Sequence, residues 1–310
     1  MPCKNCLQKP VIKLTNSNIQ LCKQHFIKYF EKKILNTIRN YKLIEKGDRI
    51  GVAISGGKDS LTVLNILNML RNKTKKFEIE AIAIDEGIKG YRDKTLENAK
   101  KFCKDNNIKL HIFSYKDEFG DTLDNFLKKT NMKACSICGP FRRYLLNKKS
   151  KELGFNKLAT GHNLDDEAQT IIMNYFRRNI ETSARLGPIT GIVNDKRFIR
   201  RIKPLYFMTQ KETATYAFLK NLLVEFNECP YSIDSYRGDV MEMLNNFEAK
   251  YPGTKNSIIT SFLEILPLLH KHYKNYTPIN NCKICNEPCS QEICQTCKIV
   301  ESLKNKVKKD

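Results

Sequence analysis

Acidic residues and long apolar runs are both scarce in this sequence of 310 residues. No apolar stretch approaches the roughly 18 residues that a bilayer-spanning helix needs, so a membrane-spanning protein is not expected. The opening Met-Pro-Cys-Lys-Asn-Cys lacks the apolar centre of a signal peptide, which points to the cytoplasm. Asp and Glu total 33 against 54 Lys and Arg, a formal charge of +21 with a pI near 9.4. With no amphipathic membrane anchor in view, that excess suits nucleic acid better than lipid, although general lysine enrichment contributes to it. No internal repeat interrupts the centre of the chain. Hydrophobic residues make up 41%, enough for a sizeable core in one large domain or two, with room for small modules.

Apolar periodicity alternates along the middle of the chain. Strands are expected at Ile50 to Ile54, Ile79 to Ile84, Lys109 to Ser114, Lys157 to Thr160 and Ile199 to Leu205. Helices are expected at Phe26 to Tyr41, Leu61 to Asn72, Lys94 to Asn106, Phe141 to Leu153, Asp165 to Arg178 and Lys211 to Leu222. Gly238 to Asn275 reads as helical, broken at Pro252 and Gly253. Strands alternating with helices predict an α/β fold built on a doubly wound parallel sheet. Three domains are expected: a module at 1–27, a catalytic domain at 28–277, and a module with a basic tail at 278–310.

Between the first strand and its helix lies Ser55-Gly-Gly-Lys-Asp-Ser60. Such a turn aims backbone N–H groups and the helix dipole at an anion, and phosphate is the natural ligand. Gly56 and Gly57 permit close approach, Ser55 and Ser60 supply hydroxyls, and Lys58 supplies charge. It is not a Walker A loop, because Gly57 stands where the lysine belongs and Asp59 where the metal-binding Ser or Thr belongs. Nor does a third glycine complete a dinucleotide fingerprint. The motif resembles the pyrophosphate loop of the N-type ATP pyrophosphatases, which cleave ATP between the α and β phosphates. That resemblance implies adenine and ribose contacts at Ala83 and Asp85 of "AIAIDEGI". It also places Gly161, His162, Asp165 and Asp166 of "ATGHNLDDEAQT" near the phosphates, with Asp59 or one of these carboxylates binding Mg2+. On local chemistry, Asp165 reads equally as a helix N-cap.

The 12 cysteines are clustered, and in a cytosolic chain Cys-x2-Cys spacing points to metal or redox chemistry before disulfides. Cys3, Cys6, Cys22 and His25 form one closed set suited to Zn2+; Cys282, Cys285, Cys294 and Cys297 form another, with Cys289 inside it as a spare or a substitute. Cys135, Cys138 and the distant Cys229 are one thiolate short of a closed site. They could hold a 4Fe-4S cluster with one iron open to sulfide. They could instead run a persulfide and disulfide relay, since Arg142 and Arg143 lie close to the pair. Cys103 lies on an apolar helix face and is expected in the core.

Taken together, these motifs resemble the tRNA 2-thiouridine synthetases of the archaeal and eukaryotic wobble-uridine group and the similar enzymes acting on the T-loop. The resemblance covers nearly the whole chain and implies ATP-dependent thiolation of tRNA, wobble position 34 being favoured over position 54. It assigns Lys58, Asp59, Cys135, Cys138 and Cys229 to catalysis. The sulfur donor would be sulfide or a ubiquitin-like thiocarboxylate carrier, and a homodimer is expected. RNA contacts are expected from Arg142, Arg143, Arg177, Arg178, Arg185, Arg200, Arg201 and Lys203. Two departures are Cys289, a fifth cysteine in the last module, and Lys203, where an arginine is common. A small-molecule amidotransferase would not need the zinc sets or the charge. A noncatalytic zinc-finger RNA-binding protein would not need the ATP loop.

Overall fold

The computed structural model describes residues 2–15, 17–192, 195–222, 229–231, 236–274 and 279–307. A two-stranded antiparallel ribbon, β1 (Ile12–Lys13) and β2 (Gln20–Leu21), leads into helix α1 (Lys23–Asn40). Phe26, Phe30, Ile34 and Ile38, spaced by four, give α1 one buried face. Then come β3 (Arg49–Ala53), α2 (Lys58–Thr74), β4 (Glu78–Asp85), α3 (Arg92–Asp105) and β5 (Leu110–Ser114). Short helices α4 (Tyr115–Phe119) and α5 (Leu123–Lys128) precede the long α6 (Ala134–Glu152). They are followed by β6 (Lys157–Ala159), α7 (Leu164–Phe176), α8 (Ile180–Ser183), β7 (Arg200–Ile202) and α9 (Gln210–Leu219). The chain ends with α10 (Tyr236–Lys250), α11 (Thr254–Tyr273), the ribbon β8 (Asn280–Asn281) and β9 (Pro288–Cys289), and α12 (Gln295–Val307).

The central sheet has the order β5-β4-β3-β6-β7, and its consecutive neighbours pair in parallel. The expected doubly wound α/β architecture is therefore present. After β3 the chain steps outward to β4 and β5, then returns to the other side of β3, so the switch point lies between β3 and β6. Crevices at the carboxyl ends of such strands are where open α/β sheets bind ligands. Both key loops, 55–60 and 160–163, leave the sheet there.

One core layer joins the first module, α1, α2, α3 and α9 to the sheet through Phe26, Phe30, Leu64, Leu67 and Tyr216. A second layer joins α4, α5, α6 and α12 through Tyr115, Phe141, Leu145, Ile299 and Leu303. A third packs α7 against α10 and α11 around Leu164, Ile259 and Phe262. The two terminal modules thus sit in different core layers, the first with the helix that follows the glycine turn and the last with α6.

One boundary differs in a way that matters. Helix α6 starts at Ala134 rather than Phe141, so Cys135 and Cys138 lie on the helix, one turn apart, and not ahead of it. Pro140 sits inside α6, and proline is so often a first-turn signal that it hides the turn preceding it. Part of the basic end, at Lys304, is also helical within α12, while 308–310 and Asn275 of the expected helical stretch lie outside the described residues.

Candidate active site

The glycine turn is tied by its own serines. Ser60 Oγ accepts from the Ser55 N–H at 3.1 Å and donates to the Gly57 carbonyl at 3.0 Å, while Ser55 Oγ accepts from the Gly57 N–H at 3.3 Å. Gly56 has φ +82°, and a Cβ there would lie 1.9 Å from the Thr95 carbonyl oxygen; no other residue fits. Lys58 and Asp59 pair at 2.7 Å. Helix α2 begins at Lys58, so its first N–H groups crown the turn.

The second signature packs onto the first. A Cβ on Gly161 would stand 2.8 Å from the Ser60 nitrogen and 2.9 Å from the Asp59 carbonyl carbon. Asn163 donates from Nδ2 to Asp59 Oδ1 at 3.2 Å and also caps α7, forming a reciprocal box with Asp166. The N-cap is therefore Asn163, not Asp165. The Asp165 carboxylate accepts from the Lys255 ammonium at 2.5 Å and from the Gln210 N–H at 2.7 Å, which ties it to α9 and α11. Asp166 remains by Asp59: burial first, and then the Asp59 charge, raise its pKa against the pull of the Asn163 N–H. His162 opens toward the cleft, its Nδ1 2.9 Å from Thr160 Oγ1. Desolvation by the walls of the cleft, then Lys203, Arg201 and Arg237, push its pKa down, so the ring is neutral at physiological pH.

The two β4 candidates lie toward the carboxyl end of the strand. Ala83 is fully buried within β4 (0% exposed), so its side chain meets core rather than cleft. Asp85, at the strand's end, accepts from the Gly87 N–H at 2.9 Å and shapes the turn that follows.

On α6, the buried Cys138 sulfur faces Tyr115 Oη at 3.5 Å and Arg142 Nη2 at 3.2 Å. Cys135 is exposed, 4.0 Å from the Tyr231 carbonyl. Burial raises the Cys229 pKa; the Tyr231 N–H opposes this, and the nearby Cys138 and Cys135 charges add to it, so the three thiols share one neighbourhood. Elsewhere, Cys3, Cys6, Cys22 and His25 form one tight group, and Cys282, Cys285, Cys294 and Cys297 another, all donors in each lying within 4.8 Å of one another. Cys289 is outside the second group and donates instead to the Gln291 carbonyl at 2.8 Å. Cys103 is buried in the core as expected, and burial pushes its thiol up to about 11.

The basic residues separate by environment. Lys203 is 4% exposed and pairs with the equally buried Glu167 at 2.7 Å, so it is a structural cation rather than an RNA contact; removing one partner of such a pair costs about 3–5 kcal/mol. Arg185 pairs with Glu181 one turn back on α8. Arg177 stacks on Tyr236 at 3.9 Å, Arg178 is exposed just past α7, and Arg200 and Arg201 are half-buried on β7. Burial first, and then neighbouring guanidinium groups, lower the pKa values of Arg143 and Arg201, as a wall of like charge does. Sequence reasoning missed Glu86, Arg92, Tyr115 and Arg237. Arg237 reaches Gln169 and Thr170 at 3.1 Å and Asp166 at 3.9 Å; nothing local in the sequence marks it.

The switch-point turn, its packed second signature and the parallel sheet define a PP-loop ATP-binding protein, and residues 23–231 match the PP-loop domain family. The chain is 35% identical to the tRNA 2-thiolation protein NcsA of Haloferax volcanii, covering 98% of this chain and 99% of that one. It is 40% identical to the tRNA-5-methyluridine(54) 2-sulfurtransferase of Pyrococcus horikoshii, over 96% and 93%. The solved structure of the U34-tRNA thiolase NcsA from Methanococcus maripaludis with its 4Fe-4S cluster superposes with a TM-score of 0.83 at 32% identity, covering 98% and 96%. The chain belongs to the tRNA 2-thiolation family of PP-loop proteins and is a tRNA sulfurtransferase. Among the described residues, no helix is long and apolar enough to cross a membrane.

Proposed function

We propose that this enzyme adenylates the C2 oxygen of a tRNA uridine and replaces that oxygen with sulfur. The observation that carries the reading is a continuous polar run joining the ATP loop to a thiol: Arg92 donates to the Ser55 carbonyl, the Glu86 carboxylate pairs with both Arg92 and Arg142, and Arg142 donates to the Cys138 sulfur. In the first step the uridine oxygen attacks the α phosphorus and pyrophosphate leaves. Lys58 and the N–H groups at the start of α2 offset the charge that develops. Asp59 and Asp166 lie close enough to sense each other's charge, and a carboxylate pair of this kind suits Mg2+ with phosphate oxygens. In the second step sulfur attacks C2, the C2–O bond breaks and AMP departs.

Cys135, Cys138 and Cys229 would hold a 4Fe-4S cluster. The donor chemistry fits: they are three thiols in one neighbourhood, yet not gathered within the 4.8 Å that marks the single-ion sets. Such a cluster, with three protein ligands, supplies an open iron to an outside sulfur. The two tight groups suit Zn2+. Their Sγ–Sγ separations of 3.6 Å (Cys6 to Cys22) and 3.7 Å (Cys285 to Cys294) match the edge of a tetrahedron with metal–sulfur bonds of about 2.3 Å. On this reading 1–27 and 278–310 are zinc modules around the catalytic domain.

The relatives divide between uridine 34 and uridine 54. We carry position 34, on the whole-chain likeness to the U34 enzyme, with a cytoplasmic place that matches the cytoplasmic thiolation proteins among the relatives. A sulfide or thiocarboxylate donor and a homodimer complete the proposal. The test is tRNA-dependent AMP release from ATP with sulfide, the product tRNA being digested and its 2-thiouridine mapped by mass spectrometry. AMP without thiouridine overturns the transfer step, and sulfur at position 54 overturns the site. Full activity with sulfide from protein that takes up no iron after anaerobic reconstitution overturns the cluster.

A further inference from the structure

Glu86, in the turn after β4, is only 5% exposed, and each of its carboxylate oxygens faces an arginine. Oε2 lies 2.9 Å from Arg92 Nε, and Oε1 lies 3.0 Å from Arg142 Nε. Its backbone carbonyl accepts from the Leu123 N–H at 2.8 Å, which holds the residue in place. The two arginines differ in freedom. Arg92 is buried and spends its other donors on the Ser55 carbonyl at 2.6 Å, the Ile84 carbonyl, and Thr95 Oγ1 at 3.2 Å. It is therefore locked beneath the ATP loop. Arg142 has about half its side chain exposed (48%), and its Nη2 donates to Cys138 Sγ at 3.2 Å. Without an anchor, a long side chain so exposed samples many rotamers. Paired with the buried Glu86 carboxylate, the guanidinium is held at this end of the helix, in the orientation that puts its Nη2 N–H on the sulfur.

We propose that Glu86 is a positioning residue for sulfur transfer: it holds the Arg142 guanidinium on the Cys138 sulfur from the anchor that also ties down the ATP loop. The consequence for catalysis rests on the thiolation reading above; the hold on Arg142 does not. A hydrogen bond to a ligating sulfur is one of the levers by which a protein tunes an iron–sulfur group, and a shared anchor keeps the donor in register with the adenylated uridine.

The experiment uses the full chain in two forms. In cluster-free protein, the 15N Nε–H resonance of Arg142, assigned by its loss in Arg142→Lys, is followed in wild type and in Glu86→Gln, which keeps the volume and removes the charge. Hindered guanidinium rotation in wild type that is lost in Glu86→Gln is expected; an unchanged resonance overturns the hold. In reconstituted protein, Glu86→Gln is expected to lower kcat for thiolation at least tenfold with the KM for ATP within about twofold. A change confined to KM or to melting temperature, or a full kcat with the hold lost, overturns the positioning role. If Glu86→Gln does not fold, Arg142→Lys carries the kinetic test, since its ammonium has no fork to span Glu86 and Cys138: full kcat there also overturns the proposal. Wild type that thiolates no tRNA refutes the function, and the resonance still decides the hold.

Discussion

The terminal cysteine sets and the three-thiol set use the same residue, and all contain Cys-x2-Cys, yet they are finished differently. In the terminal sets each donor faces other donors: His25 Nδ1 lies 3.2–3.5 Å from three sulfurs, and the second group closes on itself with Cys294 and Cys297 N–H groups turned to Cys282 and Cys294 sulfurs. Nothing is left for a substrate. On α6 the partners of the Cys138 sulfur are a phenol and a guanidinium, both donors, and Cys135 remains exposed. Spacing announces that a thiol is a ligand. The neighbours of the thiol decide whether it will also do chemistry.

The largest expected effect tests the open side of that contrast. Cys138→Ala should bring tRNA thiolation to background, read by mass spectrometry of digested tRNA, while ATP still binds with a KM within about twofold of wild type. Retained thiolation would remove Cys138 from catalysis and leave no difference in kind between the sets. Asp59→Ala approaches the same cleft from the nucleotide end. It should lower tRNA-dependent AMP formation by about two orders of magnitude with the metal content unchanged, and normal AMP formation would refute its role.

Breaking a closed set should act on the fold instead. Cys6→Ser removes one of four donors from a group whose Cys3 and Cys22 are buried in the same core as Phe26 and Phe30. Zinc measured by atomic emission should fall by about one ion per chain, and each kcal/mol lost should show as roughly 2–4 °C in melting temperature. Activity should fall only as far as folded protein does. An unchanged zinc content would reassign the first module.

Most of this was legible because the signals are local. A strand, two glycines, Lys58 and Asp59 adjoin in sequence, and each Cys-x2-Cys lies within one turn of chain, so spacing alone carries them. The illegible part is long-range. Glu86 reads as one more surface carboxylate until folding sets it between Arg92 and Arg142, and Lys203 reads as one more RNA-facing cation until Glu167 meets it in the core. Charge in a sequence says what a side chain can do, and burial says what it is used for. Pro140 misled for the opposite reason: a strong local signal was overridden by packing, since Ile137 and Phe141, on either side of it, are fully buried.

The smallest expected effect is the sharpest check on the closed sets. Cys289 lies between Cys285 and Cys294 in sequence and half-buried in the same small cluster, so spacing alone offers it as a fifth ligand. Geometry does not: its sulfur donates to the Gln291 carbonyl at 2.8 Å, and the four mutually close donors are the others. Cys289→Ser keeps a donor for that carbonyl, so zinc content should stay the same and stability should move by no more than about 0.5 kcal/mol. Loss of an ion in this variant would mean that the group exchanges ligands, and that a cysteine-rich module with a spare thiol is not a closed four-ligand site.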